Sequence, residues 1–241
     1  MMTRMRAGTG LAGSYLAWCR ATAAAVLLSV LVATPPALAQ ARPGALPGEY
    51  DFYVLALSWS PSFCEATSER TSRSMQCAGD RPFHFVVHGL WPQFQRGFPE
   101  YCQVPAPVLE NRTVSAMLDI MPAPGLVRHQ WSKHGTCSGA RSAGAYFEQV
   151  RQARAKVRIP AQYEGLSEPL MVTPEEVEEA FVRANPGLTR EMIAVQCDQR
   201  RLREVRICIG RDMNFTACEE IDRRACRRDR LVMPPARPGR S

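Results

Sequence analysis

The sequence predicts an α+β fold, because segments typical of strands and of helices are mixed without the regular strand–helix–strand alternation of a parallel sheet. Two further observations limit the class. An apolar fraction of 46% among 241 residues is that of an ordinary globular protein, which excludes collagen-like, low-complexity and acidic disordered chains. No internal repeat is visible, and the length favours one domain, or two at most.

Residues 1–39 have the layout of a secretory signal peptide. They contain three arginines and no acidic residue, pass through an apolar stretch at 21–33, and end in Ala-Leu-Ala. We expect cleavage after Ala39. A membrane anchor is the weaker alternative, because about thirteen apolar residues are fewer than the roughly twenty that span a bilayer. Cys19 precedes the apolar stretch, so we do not expect a lipoprotein anchor either.

Composition also marks the ends of the folded domain. Residues 40–49 are rich in proline and glycine, which predicts a mobile lead-in. Residues 227–241 are basic and proline-rich, which predicts a solvated tail. The folded domain is therefore expected to span 50–226.

Two segments in the first half of the domain predict strands. Tyr50–Trp59 is dense in aromatic and β-branched residues, as expected of a buried strand. Arg81–His88 predicts a second strand, in which Phe83, Phe85 and Val87 share one face. Further along the chain, three short segments predict a meander, at 192–196, 203–209 and 215–218.

Three segments predict helices. A helix is expected within 105–121, around Val108, Met117 and Leu118. Apolar residues at helical spacing predict a second helix over 143–157. The third has the clearest start, because Thr173 is followed by Pro and then by Glu176 three residues after the cap, and it should run to Asn185.

Without the leader, eight cysteines remain. An even number behind a secretory signal indicates disulfide bonds in an oxidising compartment, although eight cysteines allow 105 pairings and their spacing does not choose among them. A zinc site is the weaker alternative, because no Cys-x-x-Cys occurs. The eight are Cys64, Cys77, Cys102, Cys137, Cys197, Cys208, Cys218 and Cys226.

The four histidines point to a reactive site. His84 is expected to be structural, whereas His88 opens His-Gly-Leu-Trp-Pro, and His129 and His134 lie in His-Gln-Trp-Ser-Lys-His-Gly-Thr-Cys. A zinc pair formed by His84 and His88 is improbable on a strand, with no Glu after His84. We therefore expect no metal and no other cofactor.

Two imidazoles with an ammonium group suit phosphodiester cleavage by an internal nucleophile. One histidine takes a proton from a hydroxyl, the other protonates the leaving oxygen, and the cation stabilises the crowded phosphorus. The 2′-hydroxyl of RNA supplies such a nucleophile, and an aromatic residue such as Trp91 can stack on an unpaired base. With 27 basic against 23 acidic residues after the leader, a net charge of +4 permits a polyanionic substrate without requiring one.

The two segments at 88–92 and 129–137 resemble the active-site motifs of the ribonuclease T2 family, and a weaker likeness extends from Asp51 to Cys226. The resemblance implies a secreted α+β enzyme, with a central, mainly antiparallel sheet flanked by helices and stapled by disulfides. It also implies metal-independent cleavage of single-stranded RNA through a 2′,3′-cyclic phosphate. The implied partner is therefore RNA and not DNA.

The resemblance assigns roles to the residues of the second motif. His134 matches the general base, His129 the phosphate-contacting histidine, and Lys133 the cation that stabilises the pentacoordinate phosphorus. Gln130 departs from the family, which usually has Glu there, and Gln93 departs likewise where many relatives have an acid. Both departures bear on the chemistry and the base preference.

In and after the first motif, the resemblance assigns His88 as the general acid and Trp91 as a base-stacking residue, with Phe98 and Tyr101 as weaker stacking candidates. It also implies four disulfide pairs: Cys64 with Cys77, Cys102 with Cys137, Cys197 with Cys226, and Cys208 with Cys218.

Two other functions are weighed against an endoribonuclease. An inactive relative that binds RNA or another extracellular partner would not need both His88 and His134, and both are present. A metal-dependent hydrolase would lose activity with a chelator. We expect a monomer, free of membranes, that is secreted or periplasmic. Sequons at Asn111 and Asn214 suit a eukaryotic route, whereas the bias of 28 arginines to two lysines suits a GC-rich bacterium.

Overall fold

The fold is described from a computed structural model, which describes residues 41–66, 74–78 and 82–236. The expected signal peptide and the last five residues of the expected tail lie outside the described residues. The described strands are β1 (Ala41–Pro43), β2 (Phe52–Trp59), β3 (Phe85–Gln93), β4 (Phe98–Glu100), β5 (Leu170–Val172), β6 (Ile193–Cys197), β7 (Leu202–Gly210) and β8 (Leu231–Met233). The described helices are α1 (Ser60–Ala66), α2 (Met75–Ala78), α3 (Asn111–Ala116), α4 (Pro124–Lys133), α5 (Ala143–Lys156), α6 (Pro174–Ala184) and α7 (Glu219–Arg223).

Four strands form the central antiparallel sheet, in the order β3-β2-β7-β6. The α+β class is confirmed, as is the strand predicted at 50–59. The odd-numbered residues of β2 from Tyr53 to Trp59 pack into the main core with the long helices α5 and α6, whereas Phe52 and Val54 face a smaller core. This alternation gives the sheet two buried faces, because successive side chains of a strand point to opposite sides.

β3 differs from its predicted bounds, since it begins at Phe85 and continues to Gln93. Its pairing with β2 shifts by one residue, because Ala56 pairs with Gly89 while Leu57 pairs with Val87. His88 is the extra residue of this β-bulge. The bulge allows Val87 and Leu90, three residues apart, to face the same core.

Two of the three predicted helices are confirmed. α5 ends one residue before the predicted bound, and α6 begins with the capping box that Thr173 and Glu176 predict. The helix expected within 105–121 is shorter, because α3 spans only 111–116. Prolines at 105 and 107 lack the amide donors of a helical turn, and the Pro107 carbonyl accepts instead from Trp131 Nε1.

Three other expectations need correction. Residues 215–218 form no strand, and only Phe215 makes an isolated bridge, to Ile209. The lead-in expected to be mobile contains β1, which pairs in parallel with β4. The tail expected to be solvated contains β8, which pairs with β5 and buries Leu231 and Met233 completely. The prediction was wrong because it used the average composition of the tail, in which a few buried apolar residues are outnumbered by arginines and prolines.

The four disulfides implied by the resemblance are confirmed. Cys64 is bonded to Cys77, Cys102 to Cys137, Cys197 to Cys226, and Cys208 to Cys218. Among the described helices, none is long and apolar enough to cross a membrane.

Candidate active site

A cavity of about 270 Å³ opens where β3, β7, α4 and α7 meet. It brings together seven of the eight residues predicted for the site. These are His88, Trp91, Phe98, His129, Gln130, Lys133 and His134. The sequence analysis did not assign a role to four further lining residues, Arg206, Glu220, Ile221 and Arg224.

Local structure explains how the two motifs meet. The bulge in β3 turns His88 to the face of the sheet that also carries Trp91. On α4, His129 and Lys133 are four residues apart and therefore share one face of the helix. His134 caps the helix, and its backbone N–H donates to the Gln130 carbonyl.

His88 is held by a carboxylate that the sequence analysis did not single out. Its Nδ1 is hydrogen-bonded to Glu204 Oε1, from β7. The same oxygen accepts from Ser58 Oγ at 3.1 Å, while Oε2 accepts from Arg206 Nε at 3.2 Å and Nη2 at 3.0 Å. Burial by itself would raise the pKa of Glu204, but His88 and Arg206 together lower it to about 2. The carboxylate is therefore ionised at neutral pH.

His134 has the opposite environment. Only 7% of the residue is exposed, and its Nδ1 has no hydrogen-bond partner among the described residues. Burial, together with the charges of Lys133, His129 and His88, lowers the pKa of His134 to about 3. The ring is thus neutral at physiological pH and can accept a proton.

His129 and Lys133 line the α4 side of the cavity. Burial first, and then the charges of Lys133 and His88, lowers the pKa of His129 below its ordinary value. Lys133 Nζ lies 3.3 Å from Glu100 Oε2 and 5.9 Å from the centre of the Phe98 ring. The lysine is therefore directed by β4 as well as by its own helix.

Trp91 contacts both candidate acid–base residues. Its ring stacks on His134 at 5.4 Å between centroids and meets His88 edge-on at 5.2 Å. Its Nε1 donates to Gln130 Oε1 at 2.7 Å, and the Arg206 guanidinium lies 5.2 Å from the ring centre. Gln130 is 2% exposed, so this amide has a fixed orientation.

Two of the residues considered in the sequence analysis lie elsewhere. Tyr101 is 38% exposed and does not line the cavity, although its backbone N–H donates to the Lys133 carbonyl at 2.9 Å. His84 lines a different cavity, with Arg154 and Glu164, and burial lowers its pKa. Within residues 41–66, 74–78 and 82–236, no three His, Cys, Asp or Glu side chains are grouped so that they could hold a metal ion.

Glu204 and Arg206 were missed although the sequence carries a signal for them. In the alternating strand around 202–209, Glu204 and Arg206 share one face, opposite Val205 and Ile207 of the main core. A carboxylate in the middle of so apolar a strand needs a partner in order to be buried, and His88 and Arg206 are the partners. Sequence alone did not show that this face is the one turned toward His88.

Comparison with known proteins connects this geometry to a family. The family model for the ribonuclease T2 family matches residues 50–218. A probable ribonuclease of Haemophilus influenzae is 36% identical over 123 residues, which cover 46% of this chain and 45% of that protein. A ribonuclease of Aeromonas hydrophila is 44% identical over 92 residues, which cover 38% and 40% respectively. The chain thus spans less than half the length of these two curated relatives.

The fold agrees with this match. The solved structure of an RNase-related protein from Calystegia sepium superposes with a TM-score of 0.63 at 19% sequence identity, covering 78% of this chain and 99% of that one. Both motifs fall within the stretch that the family model matches, as does every residue of the cavity except Glu220, Ile221 and Arg224. That stretch is more than half of the sequence. The chain is therefore a member of the ribonuclease T2 family.

Proposed function

We propose that the protein is an endoribonuclease that cleaves single-stranded RNA by transphosphorylation through a 2′,3′-cyclic phosphate. The observation that carries the proposal is the contrast between two imidazoles in one cavity. His134 is buried and neutral, whereas His88 is bonded to the ionised carboxylate of Glu204. Environments that differ in this way support His134 as the base and His88 as the acid.

In the first step, His134 accepts the proton of the 2′-hydroxyl as O2′ attacks phosphorus. The bond from phosphorus to O5′ breaks, and His88 donates its Nε2 proton to O5′. A pKa of about 3 makes His134 by itself a weak base. A bound phosphodiester anion favours the protonated ring and so brings its pKa closer to the working range. Hydrolysis of the cyclic ester follows with the two roles reversed.

Lys133 and His129 stabilise the charge that develops on the phosphoryl oxygens. Both line the cavity from one face of α4, so they approach the phosphate from the same side. Trp91 and Phe98 offer aromatic surface for an unpaired base. Because side chains and the 2′-hydroxyl of the substrate fill every role, we expect no requirement for a metal ion and no cofactor. DNA lacks the 2′-hydroxyl, so we expect no cleavage of DNA.

The test is digestion of RNA by the wild type and by three single alanine variants. His88→Ala and His134→Ala should each lower kcat/KM by about 10²- to 10⁴-fold, the usual contribution of a positioned acid or base. His84→Ala is the matched control, because this histidine lies in another cavity, and it should keep near-normal turnover. EDTA should have no effect. Normal turnover of either active-site variant, or activity that a divalent metal restores after EDTA, contradicts the proposal.

We also propose that the protein is exported as a monomer to the cell exterior or the periplasm. Four disulfides support this, because such bonds persist in oxidising compartments. The exported protein should begin at Gln40 by N-terminal sequencing. An N-terminus at residue 1 in a reducing cytosol is the contrary result.

A further inference from the structure

Glu204 lies opposite His88 across the central strand of the sheet. In β7, Glu204 pairs with Ser58 and Arg206 pairs with Ala56 of β2. On the other side of β2, Ala56 pairs with Gly89, next to His88. Strands two apart in a sheet are about 10 Å from each other, so only long side chains can meet above the strand between them. The small side chains of Ala56 and Ser58 leave room for this contact.

The carboxylate is fixed at both oxygens. Arg206 binds Oε2 through two nitrogens, and Ser58 binds Oε1 on the side where His88 does. The side chain of Glu204 is 11% exposed, compared with 36% for that of His88. A paired arginine alone would account for the burial of Glu204. It would not account for the contact of Oε1 with a histidine that lines the cavity.

We propose that Glu204 is a positioning residue for general acid catalysis by His88. This inference rests on the proposed function. The hydrogen bond of Glu204 to His88 Nδ1 fixes the plane of the imidazole ring. It directs Nε2 of His88 into the cavity, toward the leaving oxygen. When His88 is protonated, the fixed carboxylate also offsets its charge. The proton passes from Nε2 to O5′ as the bond from phosphorus to O5′ breaks, and Glu204 stays ionised throughout.

Glu204 differs from the carboxylate that is usual in the second motif. At that position this chain has Gln130, whose oxygen accepts from Trp91. The carboxylate that contacts an active-site histidine comes from β7 and contacts the histidine of the first motif. In the cleavage step, the effect of Glu204 should therefore be confined to departure of the leaving group.

Two substrates with the same nucleophile separate this role from a merely structural one. Uridylyl-3′,5′-uridine has an alkoxide leaving group that needs protonation, whereas uridine 3′-(4-nitrophenyl phosphate) releases a phenolate that does not. In Glu204→Gln, kcat/KM for the dinucleotide should fall about 10- to 100-fold, part of the contribution of a positioned acid. For the aryl ester it should fall less than about threefold.

Glu178→Gln is the matched control. Glu178 is also buried and paired with an arginine, Arg190, and it accepts from the Val195 amide, but it lies outside the cavity. This variant should leave the ratio of the two rates unchanged. Glu204→Asp keeps the charge on a shorter side chain and should show a selective loss smaller than that of Glu204→Gln. If Glu204→Gln does not fold, the two substrates are compared with Glu204→Asp instead.

Equal losses on the two substrates, or no loss on either, would overturn the role of Glu204. Both outcomes require a wild type that cleaves both substrates through the 2′-hydroxyl. A wild type that cleaves neither uridine substrate nor RNA would instead contradict the proposed function. The two failures are therefore distinguishable.

Discussion

The indole of Trp91 stacks on the imidazole of His134, with ring centroids 5.4 Å apart and planes inclined by 29°. The same indole donates to Gln130 and meets His88 edge-on. Trp91 was predicted to stack on a base, and that role stays a prediction. The contacts add a second role, because this one side chain keeps the two proposed acid–base residues apart at a fixed spacing.

Trp91→Phe tests the second role. Phenylalanine keeps a ring beside His134 but leaves Gln130 Oε1 without its donor. A buried hydrogen bond contributes about 0.5 to 1.5 kcal/mol, and its loss from the transition state should lower kcat by up to about tenfold with little change in KM. Steady-state kinetics on RNA would check this. A rise in KM with unchanged kcat would show that base stacking is the only role of this residue.

The sequence predicted most of what local pattern controls. Thr173 and Glu176 predicted the start of α6, and the aromatic run at 50–59 predicted β2. The small sheets escaped prediction because the three-residue strands β1 and β8 are specified by their distant partners rather than by their own residues. α4 carried no predicted bounds, since Val127, Gln130 and Trp131 are its only buried residues.

The candidate site also combines residues that local sequence predicts with residues whose position depends on distant parts of the chain. Residues within the two motifs could be predicted, and the structure places them around one cavity. Glu204 and Arg206 could not, because their relation to His88 depends on the register of β7 against β2 and on the bulge in β3. Tyr101 was predicted as a weaker stacking candidate in the loop that follows Trp91, yet its backbone has a φ of 51° and the residue does not line the cavity.

The buried His134 should make the protein sensitive to acid. Its pKa is about 3 in the folded protein, against 6.5 ordinarily, so the unfolded chain binds more protons between these values. Stability should therefore be lost as the pH falls from about 6.5 toward 3. Each unit of pKa shift corresponds to about 1.4 kcal/mol. Glu204, whose pKa is lowered to about 2, adds a loss below about 4.5 by the same reasoning.

Urea denaturation at pH 7 and pH 5 measures the contribution of His134 to the free energy of unfolding, because both values lie above the pH range in which Glu204 contributes. His134→Ala should lose less free energy of unfolding between these two pH values than the wild type does. The stability that is lost by truncating the side chain is the same at both pH values, so it cancels from the difference between them. An equal loss in the two proteins would show that His134 does not titrate with a lowered pKa.

Gln130→Glu should move the acidic limb of the pH profile of kcat/KM upward. A carboxylate beside His134 would favour its protonated form and raise its pKa, and the base would then become protonated at a higher pH. The glutamate could still accept from Trp91 through one oxygen. We expect the variant to stay active, and Gln130→Ala to lower turnover without abolishing it. An unmoved or lowered acidic limb would contradict this account of Gln130.

The disulfide between Cys102 and Cys137 should support activity as well as stability. It closes a separation of 35 residues and ties the loop after β4 to the segment that follows His134. Replacing both cysteines by alanine should cost about 3 to 4 kcal/mol of stability and lower kcat. Replacing Cys64 and Cys77, remote from the cavity, is the control and should lower stability with little effect on kcat. If the two double variants have the same kcat, the first disulfide has no role in the site.

In the proposed mechanism the 2′-hydroxyl of the substrate is the nucleophile, activated by His134 while His88 protonates the leaving oxygen. The most direct measurement uses a DNA oligonucleotide with a single uridine and identifies the products by mass spectrometry. We expect one cut, on the 3′ side of the uridine, with an initial 2′,3′-cyclic phosphate on one fragment and a 5′-hydroxyl on the other. Cleavage at deoxynucleotides, or a first product that ends in a 3′-hydroxyl, would contradict it.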